Sequence, residues 1–371
     1  MKFNITVISG DGIGPEVTEQ SKKVLNAIAE KYDHKFIYDN VLMGACAIDK
    51  TGNPLPDATI ESCKKSDAIL FGAIGDPKYD NDPTAKVRPE QGLLRLRKEL
   101  GLFCNIRPVK AYKELIEKSP LKKETIEGTD ISIYRELTGG IYFGEKQLSE
   151  DGKTAFDGCT YNVEEITRIA HLAFKEAQNR RKKLTLVDKA NVLETSRLWR
   201  KTVTAISKDY PNVSFDTMFV DNAAMQLILN PKQFDVILTE NLFGDIISDE
   251  ASVIGGSIGL LASASIGGKN ALFEPIHGSF PQAKGNGIAN PLASILSASM
   301  MLRHLGLLQE SKDVDEAVEK SLELGLTTVD INPEKPFSTS KVGDFISDYV
   351  EDSKYCLLNM DNIQLGQSTI I

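Results

Sequence analysis

The chain has 371 residues, of which 41% are hydrophobic and 26% charged, and its formal net charge at pH 7 is −9. This length predicts two domains of roughly 150 residues or more each. An acidic chain disfavours nucleic-acid binding through a broad basic face, and no apolar run is long enough for a membrane span. The first residues lack a signal-peptide pattern. The five cysteines form no C-x-x-C pair, which argues against a zinc site and favours reduced thiols in the cytoplasm.

Strand-like apolar runs alternate with helical patterns along the chain. A strand at 3–8 precedes a helix from Pro15 to about Ala29, and a helix near 57–65 precedes a strand at 68–74. Further strands, each followed by a helical pattern, are predicted at 184–188, 213–221 and 235–240. This alternation predicts an α/β fold with a largely parallel sheet. The segment 131–145 differs, because it is typical of a strand, a Gly-Gly turn and a short extended piece, which could form an arm.

Three glycines follow the first strand, at Gly10, Gly12 and Gly14. The dinucleotide-binding pattern G-x-G-x-x-G would need its third glycine at position 15, which is Pro15. The segment therefore predicts a tight strand-to-helix turn with proline at the helix start, although its backbone could also border a ligand. Any NAD site is expected to differ from the usual Rossmann loop.

Two aspartates, Asp245 and Asp249, are four residues apart and share one face if the segment is helical. Like charges at this spacing repel, so a positive group should offset them. Carboxylates suit a hard cation such as Mg²⁺ or Mn²⁺, and Asp221, expected at the end of a strand, offers a third. A solvated acidic helix face is the alternative.

Lys189 lies just past a predicted strand, where ligands gather in open α/β sheets. A desolvated lysine can have a lowered pKa and act as a base. A surface pair with Asp188 or Glu194 is the alternative. Tyr142, after the Gly-Gly pair, is either a proton donor or a packing residue.

Three arginines, Arg97, Arg107 and Arg135, could together clamp a dicarboxylate, because guanidinium groups bind carboxylates bidentately. Structural ion pairs are the alternative, and spacing alone does not exclude Arg88 or Arg95.

Leu93 and Leu94 lie on the same helical stretch as Arg97, and Leu93 shares its face. They could form an apolar wall for a branched alkyl arm of the substrate, or they could be core leucines. The segment 277–291 is rich in glycine and small polar residues, which allow close approach to a ligand. His277 could contact an adenine there, and an ordered surface loop is the alternative.

Five segments resemble motifs of the β-decarboxylating dehydrogenase family in sequence, order and spacing. They are GDGIGPEV, RELTGGIYFGE, VDKANVLE, NLFGDIISD and EPIHGS…GIANP. The resemblance covers nearly the whole chain. It implies the family's two-domain α/β fold, which is not a Rossmann fold and has a mixed, largely parallel central sheet. The implied first domain comprises 1–102 and 255–371, and the second 103–254 with an arm near 131–160. It also implies a homodimer with active sites shared between subunits.

The resemblance assigns roles to the candidate residues. Arg97, Arg107 and Arg135 are expected to bind the malate carboxylates, and Tyr142 to act as the acid. Mg²⁺ or Mn²⁺ is expected on Asp245 and Asp249, with Asp221 from the other subunit. Lys189, also from the other subunit, is the expected base, with Asp221 as a possible relay. NAD is expected to contact Glu90, Asn191, Glu274, His277, Gly278, Ser279, Gln282 and Asn290.

Substrate choice in this family depends on the helix that holds Glu90, Leu93 and Leu94, and Val192 is expected to add to an apolar pocket. A third carboxylate against two leucines would be desolvated without a partner. The resemblance therefore implies oxidative decarboxylation of 3-isopropylmalate in leucine biosynthesis. Malate or tartrate would lose only about 1.5–3 kcal/mol of apolar contact. Tartrate/D-malate and homoisocitrate dehydrogenases are thus alternatives, and a catalytically idle regulatory paralogue is one of a different class.

One departure concerns the cofactor. Gln282 stands where the family usually has an aspartate that holds the adenosine ribose. Without that negative charge the argument against a 2′-phosphate is weaker, and Lys284 lies nearby. NAD remains the expected cofactor.

Overall fold

The computed structural model describes residues 1–81 and 87–364. The chain forms two compact units, the first from Met1–Leu96 and Asn270–Ile371 and the second from Arg97–Lys269. The strands, in chain order, are β1 (Lys2–Gly10), β2 (Lys35–Asn40), β3 (Ala68–Ala73), β4 (Cys104–Lys110), β5 (Asp130–Glu136), β6 (Lys146–Leu148), β7 (Ala155–Asp157), β8 (Lys183–Asp188), β9 (Ser214–Phe219), β10 (Val236–Thr239), β11 (Ala262–Ile266) and β12 (Ala271–Pro275).

The helices, in chain order, are α1 (Gly14–Tyr32), α2 (Ala45–Thr51), α3 (Asp57–Lys65), α4 (Pro77–Asp80), α5 (Pro89–Glu99), α6 (Lys123–Ile126), α7 (Val163–Asn179), α8 (Glu194–Ile206), α9 (Val220–Leu229), α10 (Asn241–Ser252), α11 (Leu292–His304), α12 (Leu308–Glu323), α13 (Thr339–Glu351) and α14 (Ser353–Gln364).

In the first unit the strand order is β2-β1-β3-β12, and all neighbours are parallel. The turn between β1 and α1 is tight, as predicted, with proline in the first turn of the helix. Gly10 has φ +72°, and a Cβ there would lie 2.0 Å from the carbonyl oxygen of Ala73. Only glycine fits this close approach of two backbones.

In the second unit the strand order is β11-β4-β5-β10-β8-β9. The first three of these strands are antiparallel, and the remaining neighbours are parallel. The predicted α/β class with mixed, largely parallel pairing is therefore confirmed. The core on one side of this sheet is built around Trp199 and Phe174, and the core on the other side includes Ile133 and Ile247.

The Gly-Gly segment differs from its prediction. Residues 140–142 form a 3₁₀ turn, so the expected extended piece is wrong. Gly140 has φ +75°, which turns the chain, and a Cβ there would lie 2.3 Å from the Tyr161 hydroxyl. The chain then forms the hairpin β6–β7, in which every strand residue is exposed.

The environment of Asp221 also differs from its prediction. Strand β9 ends at Phe219, and Asp221 lies in the first turn of α9 rather than at the end of a strand. A carboxylate is favourable there because the unpaired amides of a helix N-terminus carry partial positive charge.

The C-terminal segment after residue 350 contains α14, and residues 365–371 lie outside the described residues. In the described ranges, no helix combines the length and the apolar character needed to cross a membrane.

Candidate active site

Arginines from two neighbouring strands meet aspartates from α10 in the second unit. Arg135 Nη1 lies 2.5 Å from Asp245 Oδ1, and Arg107 Nη1 lies 2.7 Å from Asp249 Oδ1. Arg107 Nη2 is also 3.5 Å from Asp245. Because Arg107 contacts both aspartates, their carboxylates lie on one face of α10. The two guanidinium groups offset the repulsion between them.

Arg135 is the most buried member of this cluster, at 5% exposure. The pKa of Arg135 is lowered to about 10, chiefly by burial; Asp245 opposes this shift, and the positive charges of Arg107 and Arg97 add to it. The guanidinium is still charged at neutral pH. The three arginines therefore lie close enough to influence one another electrostatically.

Tyr142 joins the same cluster through Asp245. Its hydroxyl donates to Asp245 Oδ2 at 2.9 Å, and the Arg135 guanidinium lies 5.8 Å from its ring centroid. Burial raises the pKa of Tyr142 above its usual value of 10, and the hydrogen bond to Asp245 raises it further. Tyr142 therefore holds its proton at neutral pH, which suits a proton donor.

Lys189 and Asp221 form a second cluster. Lys189 follows the end of β8, and its Nζ lies 2.5 Å from Asp221 Oδ1. This hydrogen bond lowers the pKa of Asp221, whose side chain is 64% exposed. The alternative pairings of Lys189 are wrong, because Arg200 binds Asp188 and Arg197 binds Glu194.

The structure does not bring the two clusters together within one chain. Among residues 1–81 and 87–364, no three His, Cys, Asp or Glu side chains are placed to hold a metal ion. Lys189 and Asp221 share no hydrogen bond or ion pair with Tyr142, Asp245 or Asp249 in those ranges. Asn191 and Val192, two and three residues after Lys189, are exposed.

The segment expected to bind the cofactor lies in the first unit. His277 Nδ1 donates to the Gly278 carbonyl at 3.0 Å, because a carbonyl oxygen can only accept. Nε2 is then a bare acceptor, and within the described part of the chain it is buried without a hydrogen-bond partner. Burial lowers the pKa of His277, so the ring is neutral at pH 7. Such an acceptor suits an N–H or O–H donor of a bound ligand.

Other candidate cofactor residues are placed around this segment. A Cβ on Gly75 would lie 3.3 Å from Glu90 Oε1 and 3.4 Å from Ser279 Oγ, so these two side chains flank the same glycine. Asn290 is buried and donates to Asp330 at 3.0 Å. Glu274 is also buried, whereas Gly278 and Gln282 are exposed.

The leucines of the expected apolar wall lie on α5. Leu93 is half-buried and Leu94 is 51% exposed. Arg95, one of the open alternatives for the clamp, instead pairs with Asp57 at 3.1 Å.

The structure adds polar residues that the sequence analysis missed. Asn105, Asn241 and Ser248 all accept hydrogen bonds from the clamp arginines. Glu136, fully buried, accepts from the amides of Thr138 and Gly139 and so holds the turn before Tyr142. For Asn105 a signal was present, because a residue two before Arg107 in a strand shares its face.

Comparison with known proteins agrees with this geometry. The model of the isocitrate/isopropylmalate dehydrogenase family matches residues 4–346. The chain belongs to the isocitrate/isopropylmalate dehydrogenase family. It is therefore a decarboxylating dehydrogenase.

Relatives within this family carry the name 3-isopropylmalate dehydrogenase. That of Wolinella succinogenes is 56% identical over 352 residues, which cover 94% of this chain and 98% of the relative. That of Bacteroides fragilis is 54% identical, covering 94% of this chain and 99% of the relative.

Solved structures of family members have the same fold. Isocitrate dehydrogenase from Methylococcus capsulatus has a TM-score of 0.84 at 34% identity and covers 94% of this chain and 100% of its own. A β-decarboxylating dehydrogenase from Thermococcus kodakarensis has a TM-score of 0.79 at 35% identity, with 97% and 98% covered.

Proposed function

We propose that this chain oxidises 3-isopropylmalate with NAD and decarboxylates the product to 4-methyl-2-oxopentanoate and CO₂, as a step of leucine biosynthesis. The observation that carries the proposal is the cluster in which Arg107 and Arg135 meet Asp245, Asp249 and Tyr142. The names and identities of the relatives from Wolinella succinogenes and Bacteroides fragilis support the same substrate.

The arginines bind the substrate in this proposal. Arg97, Arg107 and Arg135 carry three positive charges, and a malate-type substrate carries two carboxylates. Guanidinium groups hold carboxylates through paired hydrogen bonds, so the clamp fixes the orientation of C2 and C3. A 2-hydroxy monoacid would leave part of this positive charge unpaired.

The carboxylates fit a hard divalent cation by their chemistry. Asp245 and Asp249 share one face of α10, and Asp221 of a second subunit would complete the set of oxygen ligands that Mg²⁺ or Mn²⁺ prefers. When bound, the cation would supply Lewis-acid polarisation of the substrate.

The proton transfers are assigned to Lys189 and Tyr142. Lys189 accepts the proton of the C2 hydroxyl, and Asp221, 2.5 Å away, offers the route by which the lysine's own proton leaves. The 2-oxo acid that results carries its ketone β to the carboxylate lost as CO₂. Tyr142, which holds its proton at neutral pH, donates to the carbon left behind.

The cofactor fits the first unit. His277 Nε2, a buried acceptor without a hydrogen-bond partner among the described residues, suits the adenine amino group, and Glu90 and Ser279 flank Gly75 in the same unit. NAD, when bound, supplies the hydride acceptor. Gln282 is exposed and brings no charge to the ribose, so we expect a preference for NAD that is weaker than an aspartate would give.

The alkyl pocket is assigned to Leu93, Leu94 and Val192. Leu94 and Val192 are 51% and 60% exposed in the single chain, so both have apolar surface left to bury against a branched arm. Burial of such an arm is worth about 1.5–3 kcal/mol. We therefore expect a higher kcat/KM with 3-isopropylmalate than with D-malate, and the reverse order would refute the substrate assignment.

The proposal includes a cytoplasmic location, which is compatible with five free thiols. It also includes a homodimer with shared active sites. Apolar side chains are exposed on α9 (Met225, Ile228, Leu229), α10 (Ile246) and the β6–β7 hairpin (Leu148, Phe156). Contiguous exposed apolar surface marks interaction sites. Pairing of two chains would let Lys189 and Asp221 of one subunit complete the Tyr142 cluster of the other.

Mixing two inactive variants tests function and shared sites together. Tyr142→Phe and Lys189→Ala should each lower kcat by at least about a hundredfold. If the two residues of one site come from different subunits, a mixed dimer has one intact site. Random reassociation should then restore about a quarter of wild-type activity, measured as isopropylmalate-dependent NADH formation with Mn²⁺.

The matched control mixes Tyr142→Phe with Asp245→Asn. These residues contact each other within one chain, so every site keeps one defect and no activity should return. No recovery in the test pair would contradict the shared site, and recovery in the control would contradict the placement of Tyr142 and Asp245 of one chain in the same site. A wild-type enzyme that forms no NADH from isopropylmalate would contradict the function itself.

A further inference from the structure

Each of the two strand arginines of the clamp is held by a buried asparagine. Asn105 is 2% exposed and Asn241 is 1% exposed. Asn105 Oδ1 accepts from Arg107 Nε at 2.8 Å, and Asn241 Oδ1 accepts from Arg135 Nη2 at 2.9 Å and Nε at 3.2 Å. The Asn241 carbonyl accepts from the same Nε at 3.0 Å.

The orientation of each amide is fixed from its other side. Asn105 Nδ2 donates to Ser263 Oγ at 2.8 Å, and to the Ala264 carbonyl and Ser265 Oγ at 3.3 Å, all on the neighbouring strand β11. Asn241 Nδ2 donates to the Gly139 carbonyl at 3.1 Å. A carbonyl can only accept, so each amide must turn its oxygen toward its arginine.

The amide oxygens of Asn105 and Asn241 are neutral, so they accept hydrogen bonds from the arginines without neutralising the positive charge. An aspartate would also accept from the guanidinium, but its negative charge would cancel the positive charge that a diacid needs. It would also face the carbonyls of Ala264 or Gly139 without a donor, which is costly in a buried site. Asparagine fixes the guanidinium and leaves its charge for the substrate.

We propose that Asn105 and Asn241 are positioning residues that hold Arg107 and Arg135 in the geometry that binds the substrate carboxylates. They act through the arginines and do not touch the substrate. The proposal rests on the proposed function. The two positions differ in one respect, because the Asn241 amide also holds Gly139, three residues before Tyr142. Asn105 therefore sets substrate binding alone, and Asn241 sets both binding and the placement of the proton donor.

Steady-state kinetics should separate the two roles. Asn105→Ala should raise the KM for 3-isopropylmalate about tenfold with kcat nearly unchanged, because it removes a hydrogen bond to a charged group. Asn241→Ala should raise KM and also lower kcat about tenfold. Asn105→Asp should raise KM more than Asn105→Ala does. The matched control is Asn270→Ala, a buried asparagine whose Nδ2 donates to the Cys63 carbonyl, which should lower Tm without changing KM.

A double-mutant cycle then distinguishes positioning from general damage. In an Arg107→Ala background, Asn105→Ala should have no further effect on KM, because its only route to the substrate is gone. Additive effects, or an unchanged KM in Asn105→Ala, would overturn the proposal. Calorimetric titration of wild type and each variant with 3-isopropylmalate alone separates the proposed function from the positioning role. A wild type that neither binds nor turns over the diacid would refute both. An active wild type together with an unaffected Asn105→Ala would refute only the positioning role.

Discussion

One tyrosine and one histidine, Tyr142 and His277, show how burial selects the protonation state of a single residue. Burial raises the pKa of Tyr142 and lowers that of His277, so both are neutral at pH 7. Desolvation disfavours the charged form of either group. The tyrosine therefore keeps the proton that it is to donate, and the histidine keeps a lone pair on Nε2.

The state of His277 predicts a pH dependence for cofactor binding. Its folded pKa lies below the ordinary value of 6.5, so its contribution to stability is complete above pH 6.5 and is lost as pH falls through the folded pKa. Below that pKa, Nε2 becomes a donor and no longer accepts. We expect the KM for NAD to be constant from pH 8 to 6.5 and to rise as the pH falls through the folded pKa of His277.

The measurement is the KM for NAD against pH in wild type and in His277→Asn. The variant should bind NAD more weakly at pH 7 and show a flatter profile in the acid range. An equally steep acid rise in the variant would mean that a group other than His277 titrates.

Helix α10 shows how one element serves several parts of the site. It carries Asp245 and Asp249 on one face, and at its start Asn241 binds Arg135. Gly244 lets the helix approach that arginine, since a Cβ there would lie 2.6 Å from Arg135 Cγ and 2.8 Å from Arg135 Cβ. Those atoms are near the backbone of a buried side chain and have little room to move.

Gly244→Ala should therefore weaken substrate binding. In an open helix position this change stabilises by about 0.5–1 kcal/mol, but here the methyl group must displace Arg135 or the helix. We expect the KM for 3-isopropylmalate to rise about tenfold or more, as for loss of a charge-assisted hydrogen bond, and Tm to fall. Glu250→Ala on the same helix is the control and should leave KM unchanged. A raised Tm with normal KM would show that the space is available.

The elements were predicted unevenly by the sequence. The helix after Pro15 and the strand at 68–74 were predicted within a few residues, because apolar periodicity and proline mark them directly. The start of α9 and the turn at 140–142 were not. Both depend on long-range contacts, such as the packing of Tyr161 against Gly140, which local patterns do not contain.

At the scale of the whole molecule, a cation site formed by aspartates of two subunits predicts that cation binding stabilises the protein. Ligands that bind only the folded state stabilise it, by about 2.7 kcal/mol at a hundred times Kd. If Asp221 of one subunit joins Asp245 and Asp249 of another, Mn²⁺ should raise the Tm of the wild type by a few degrees. Asp221→Asn and Asp249→Asn should each reduce that shift.

Calorimetric melting with and without Mn²⁺ checks this prediction and needs no turnover. Asp216→Asn, at an exposed aspartate on β9, is the matched control and should keep the full shift. A full shift in Asp221→Asn would exclude that residue from the cation site.

The sequence by itself determined the fold class, the order of most elements and the identity of the charged residues, because periodicity and residue chemistry are local properties. Five ordered motifs also indicated the family. Only the tertiary structure decided which charges meet. It paired Arg107 and Arg135 with α10, joined Lys189 to Asp221 instead of Asp188, and placed Asn105 and Asn241 behind the arginines. These contacts join strands and helices far apart in the chain, and a hydrogen bond between distant residues depends on register and packing that no single segment specifies.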